Sequence, residues 1–226
     1  MISRRILLKF MGGSPLLAAG GFWDKKPPTS WSEDEIMQMT THSPWARETN
    51  LDFDVTDFVV PGSGSPYAGN NGSGIGATTE RPAGVLKRAP VLVRWESAKP
   101  IRDALLVPIP RDFAGRYVLS VSNVPPEAML GEKRLSPGAP PIPLQSFLEN
   151  LQAAATLEAQ GKEPAGAGIV RLLARSDSTY LFGFSKDLLP LTVRDKEVLF
   201  TLRTKRVSVK ARFQPKDMVY KGVLAL

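Results

Sequence analysis

An α+β domain, rich in antiparallel strands and carrying two or three short helices, is the fold class this sequence predicts. Three observations predict it. Apolar residues alternate strictly in the last third of the chain, first at Val198, Phe200 and Leu202, then at Val207, Val209, Ala211 and Phe213. Thr204-Lys205 between these runs suits a hairpin loop, so the C-terminal strands form an antiparallel meander. Helical patterns, by contrast, are few and short, as expected of helices packed on one face or end of a sheet.

The elements follow in chain order. Ser32-Glu33-Asp34-Glu35 is a capping box: the serine hydroxyl accepts from the amide of Glu35, and the Glu35 carboxylate reaches back. A helix from about Glu33 to Thr41 follows, expected to bury Ile36, Met37 and Thr40. Pro44 ends it, because the residue before a proline avoids the helical region, and Trp45 folds back onto the domain. Leu51 to Phe58 alternates with period two, placing Leu51, Phe53 and Val55 on one side and acids on the other. Residues 61–88 are so rich in Gly, Ser and Pro that they read as a mobile loop.

Pro90 to Ser97 is expected as a buried strand, and Lys99 to Leu106 as a short helix with Pro100 in its first turn. A strand covers Arg116 to Asn123. Residues 125–143 hold six prolines in nineteen residues and form a loop. Leu144, Phe147, Leu148, Leu151 and Ala155 recur at helical spacing, predicting a helix over 144–160 closed by Gly161. Ile169 to Leu173 and Thr179 to Phe184 read as neighbouring strands, and Val219 to Leu226 as a last one.

Ahead of this domain, Ser3-Arg4-Arg5-Ile6-Leu7-Leu8-Lys9 resembles the twin-arginine export consensus S-R-R-x-F-L-K, with Leu7 where Phe is commonest. A short Gly- and Ala-rich stretch to Gly20 completes such a signal. Pro15 interrupts its apolar run, which is too short to cross roughly 30 Å of hydrocarbon. The sequence thus divides into an export signal at 1–21, a Pro-stiffened tether at 22–30 and a single domain at 31–226. The mature chain is expected to be periplasmic or otherwise extracytoplasmic, without a transmembrane span. The twin-arginine route carries chains that have already folded.

Composition excludes several classes of chemistry. Removing Arg4, Arg5 and Lys9 from the 29 basic residues leaves 26 against 22 acids, net +4, so part of the basic character belongs to the signal. That weakens a nucleic-acid reading, and an exported chain rarely meets nucleic acid. Absence of cysteine excludes disulfides, thiolate metal sites, a thiol nucleophile and a cysteine-anchored lipoprotein. One histidine, His42, excludes histidine metal clusters; at the end of the first helix it reads as a structural residue. Gly72-Ser73-Gly74-Ile75-Gly76 lacks the helix start of a dinucleotide site and the Lys-Ser/Thr of a phosphate loop. Asp52, Asp54 and Asp57 could gather a hard cation, but a strand spreads alternate positions about 7 Å apart and no glycine turn wraps them. Ser97 and Lys99, a conceivable catalytic dyad, are two apart at a strand end, where side chains seldom converge. No cofactor and no metal is implied, and no catalytic residue is singled out.

One surface feature can be localised. Arg203, Lys205, Arg206, Lys210 and Arg212 place a basic stripe on the C-terminal hairpin, either a face kept soluble by charge or a contact for an anionic surface. No aromatic interleaves them, which disfavours a single-strand nucleic-acid platform.

Several phrases are similar to an uncharacterised family of exported, mostly soil-bacterial proteins: Ser43-Pro44-Trp45-Ala46, Val93-Arg94-Trp95-Glu96-Ser97-Ala98 with Ile101-Arg102, Asp195-Lys196-Glu197-Val198, and Lys216-Asp217-Met218-Val219-Tyr220-Lys221-Gly222. The resemblance implies one domain with recurring core and turn elements, and no activity. Physically, Trp45 and Trp95 read as buried anchors, and Arg94, Glu96 and Arg102 as ion-pair partners. The expected function is a non-enzymatic envelope protein that binds a protein or an anionic polymer. A hydrolase acting on envelope glycan through paired carboxylates is the alternative.

Overall fold

The computed structural model describes residues 21–54, 86–125, 128, 144–173 and 178–226. The twin-arginine motif, Asp57, the Gly72–Gly76 run and nearly all of the proline-rich stretch lie outside these residues.

The protein is a β-rich α+β domain. Its main sheet contains nine strands: β1 (Ala46–Asp54), β2 (Leu86–Trp95), β3 (Arg116–Ser122), β4 (Ala155–Ala159), β5 (Ala165–Gly166), β6 (Ile169–Leu172), β7 (Tyr180–Ser185), β8 (Val198–Arg203) and β9 (Val207–Phe213). They are ordered β5-β4-β8-β9-β1-β2-β3-β7-β6, and neighbours pair antiparallel throughout. The hairpin β8–β9 turns at Thr204, whose hydroxyl accepts from the amides of Arg206 and Val207. The two C-terminal hairpins, β6–β7 and β8–β9, lie in different halves of the sheet, separated by strands from the first half of the chain.

The two edge strands, β5 and β6, are halves of one segment separated by two residues. Ala167 donates its amide to the Ala155 carbonyl on β4, and Gly168 donates to the Gly183 carbonyl on β7. The sheet therefore curls until a single segment bridges both edges, and it has the character of a small barrel. Gly183 is required at this seam, because a Cβ there would lie 2.6 Å from Ile169 Cγ2 and 2.8 Å from Phe113 Cδ1.

Alternation decides which side chains fill the curl. Val91, Val93 and Trp95, Tyr117, Leu119 and Val121, Phe182 and Phe184, and Val198, Phe200 and Leu202 all point inward and are buried. Trp95 meets Tyr117 and Phe213 edge-on, with ring centroids 5.5 and 5.7 Å apart, and Phe182 meets Phe200 at 5.5 Å.

One end of the barrel is sealed. Helix α2 (Glu33–Thr41) carries the capping box as expected, with Ser32 Oγ accepting from Glu35 N and Glu35 Oε2 accepting from Ser32 N. Its buried residues are Met39 and Thr40; Met37, expected inside, is 61% exposed. Ile36, Met39 and Thr40 share a face by i, i+3, i+4 spacing, and Met37 falls off it. Helix α3 (Lys99–Leu105) packs beside α2 and ends at Leu106, which adopts a left-handed cap.

Residues 22–31 and 215–226 complete the seal. Residues 22–30, expected as a tether, are docked: Phe22–Lys25 forms a single helical turn, α1, and Pro28–Ser30 a 3-10 turn. Phe22 packs edge-on to Trp31 at 5.6 Å, and Trp23 to Trp45 at 5.6 Å. The expected last strand is instead a tight two-strand ribbon, β10 (Val219–Tyr220) and β11 (Val223–Leu224), whose turn residues Lys221 and Gly222 both have positive φ. Trp45 Nε1 donates to the Ala225 carbonyl at 2.7 Å, and Lys221 N donates to Asp24 Oδ1 at 2.9 Å. Tyr220 donates to Asp103 Oδ2 at 3.3 Å; burial, then the charges of Asp103 and Asp24, push its phenol up to about 12 and keep it a donor.

Three further boundaries differ from expectation. β1 begins at Ala46, five residues early, because its polar first half is held by pairing with β2 from Ala46↔Arg94 onward. β2 begins at Leu86, inside the expected loop. The helix predicted over 144–160 stops at Ala154 as α4 (Leu144–Ala154), and residues 155–159 are strand β4. Ala155, Leu157 and Ala159 point inward while β4 pairs along its length with β8, a long-range partner that helical periodicity cannot register.

Candidate functional site

Among the described residues, inward aromatics take up the centre of the curled sheet. A hollow between α4 and the β8–β9 turn, lined by Phe147, Asn150, Leu151, Thr204, Arg206 and Val207, measures about 10 Å³, room for one water. Among the described residues no three His, Asp or Glu side chains gather around a point that could hold a metal.

The carboxylates best shielded from solvent are committed to structural bonds. Glu96 Oε1 accepts from Arg94 Nε at 2.9 Å and from Ser120 Oγ at 2.6 Å, while Arg94 also donates to the Thr40 carbonyl, stitching α2, β2 and β3 together. Burial alone would raise the Asp195 carboxyl, but bonds from Lys162 Nζ and from the Thr192 amide and hydroxyl outweigh it and hold the group below its usual value. Arg102, expected beside Arg94 and Glu96, instead lies near Lys186, whose ammonium is lowered by burial and then by Arg102's like charge.

The remaining sequence candidates fall into place. His42 caps α2, with Nδ1 2.7 Å from Thr41 Oγ1 and Nε2 3.7 Å from Glu48. Lys99 turns to Asp103, while Ser97 Oγ accepts from Val118 N, so these two side chains serve different partners. Asp52 is bound by Arg88 Nε at 2.7 Å.

The basic stripe is distributed along the hairpin. Lys210 and Arg212 lie exposed on the outer face, with Val209, Ala211 and Phe213 inward, as the alternation requires. Arg212 is held by Glu197 at 2.9 Å, toward the sealed end. Arg203, Lys205 and Arg206 cluster instead at the hairpin tip, where Arg206 donates to the Asp54 carbonyl and Asp54 N donates to the Arg206 carbonyl.

The tip belongs to the opposite end of the barrel. Registers Asp54↔Leu86, Leu92↔Ser122, Val121↔Tyr180 and Ala155↔Leu202 bring the ends of β1 and β3 and the starts of β2, β4 and β7 to that same rim. There Arg203, Ser208, Asp52 and Arg88 form one row across four adjacent strands on the outer face. Lys87, opposite Phe53, is at the same rim on the alternate face of β2. Lys87 and Arg88 escaped the sequence reading because they fall inside the stretch taken as loop; two successive basic residues just ahead of the apolar run Val91–Val93 were the available signal.

These features define a class: a small, curled antiparallel barrel with a filled interior and a basic rim. No protein-family model, curated protein or solved structure matches the chain.

Proposed function

We propose that the chain is an exported envelope protein that works as a non-enzymatic binding or structural module. The filled interior carries this reading: a barrel whose core is taken up by Trp95, Tyr117, Phe182, Phe200 and Phe213 has only its surface to present. The Ser3–Lys9 match supports delivery by the twin-arginine route to an extracytoplasmic compartment. The glycan-hydrolase alternative draws no support from Glu96 and Asp195, each of which is bound by neighbouring donors.

Two measurements test the reading. A reporter active only after folded export, fused behind residues 1–25, should lose activity when Arg4 and Arg5 are both changed to Lys; unchanged export would sink the compartment. The protein incubated with isolated envelope should sediment with it while releasing no soluble glycan. Steady release of glycan fragments would favour the hydrolase instead.

A further inference from the structure

We infer that the rim end of the barrel docks on an anionic phospholipid surface; the inference rests on the binding reading and names its partner. The rim combines two kinds of side chain. Arg203, Lys205 and Lys87 are exposed and meet no carboxylate among the described residues, and Arg88 joins them with its charge shared by Asp52. The row from Arg203 to Arg88 spans three interstrand spacings, roughly 14 Å, so its positive ends act together on a flat charged surface. Glu149 at this end is engaged by Gln145 Nε2.

Beside the charges stand two leucines that the barrel leaves in water. Leu86, the first residue of β2, is 68% exposed, and Leu144, the first residue of α4, is 56% exposed. Phe147, one turn along α4 from Leu144, lines the same hollow as Thr204 and Arg206, which fixes the leucine at the hairpin-tip end. A soluble polyanion would make use of the cations and leave the leucines idle. A lipid surface uses both, because basic side chains pair with headgroups while apolar ones enter the boundary beneath them.

The test measures partition of the full chain onto vesicles of phosphatidylglycerol with phosphatidylcholine, against phosphatidylcholine alone. The double change Arg203→Gln, Lys205→Gln should weaken partition about thirtyfold, at about 1 kcal/mol for each basic residue near an anionic surface. The matched control Lys25→Gln, Lys216→Gln, which removes the same charge at the sealed end, should change it less than about threefold. Leu86→Ser with Leu144→Ser should weaken vesicle partition yet leave retention on dextran sulfate unaltered. Equal losses in the rim and control variants, or equal partition onto neutral vesicles, would overturn the docking end. Leucine variants that bind vesicles as tightly as the parent would show a polymer partner, overturning the lipid inference alone. Failure to sediment with envelope of any kind would instead remove the binding reading beneath it.

Discussion

The two ends of the barrel are built from opposite materials. At one end the chain covers itself: Phe22 meets Trp31 and Trp23 meets Trp45 edge-on, and Asp24 on α1 accepts from the Lys221 amide of the β10–β11 ribbon. At the other, leucines and cations face water around a shallow hollow. The contrast separates side chains that hold the fold together from side chains that contribute little to it. Burying an indole stabilises the fold directly, whereas an exposed cation contributes little to it.

The comparison breaks most visibly at Trp45. Replacing it with Ala should cost about 3–5 kcal/mol in urea unfolding, since a fully buried indole is lost and the Ala225 carbonyl loses its donor. The seam joining the two edges of the sheet should respond next. Gly183→Ala forces a Cβ against Phe113 and Ile169 and should cost about 1–3 kcal/mol, whereas Gly168→Ala meets only the mobile tip of Arg116, at 2.7 Å, and should cost less.

Acid sharpens the contrast further. Asp195 at the sealed end is held below its usual value, so its contribution is present above the unfolded-state value and is lost as pH falls through the lower folded one. The urea midpoint of Asp195→Asn should therefore fall less than the parent's as pH drops from about 5 to 2. The smallest effect belongs to the rim: Arg203→Gln with Lys205→Gln should leave the midpoint within about 0.5 kcal/mol of the parent. A larger shift would mean that these cations serve the fold.

Legibility followed the range of the interactions. The capping box at Ser32 and Glu35 closes within three residues, and its pattern could be read directly. The β8–β9 alternation was equally plain, because a hairpin is its own partner. β4 was hidden: Ala155, Thr156 and Leu157 contain no helix breaker, and only pairing with β8 turns them into a strand. Phe22 and Trp23 were hidden for the same reason, since nothing near them announces Trp31 and Trp45 as their neighbours. The rim was half legible. Its hairpin cations stood out, but Lys87 and Arg88 gained meaning only when β2 proved to start at Leu86 and to lie beside β1.

The bond from Trp45 to Ala225 spans 180 residues, and β1 takes β9 as one of its two neighbours, so the fold has a consequence for biosynthesis. Contacts this distant in sequence make folding slow, because the loop entropy is lost before the contact is gained. An emerging chain can zip β2 to β3, yet the first third stays incomplete until β9 and Ala225 have left the ribosome. Pulsed hydrogen exchange should find the β1 amides protected no sooner than those of β9; earlier protection would contradict this order. A carrier that accepts only folded cargo would then have a natural checkpoint here, since a chain truncated at its C-terminus leaves the Trp45 indole without its acceptor and the barrel without its cover.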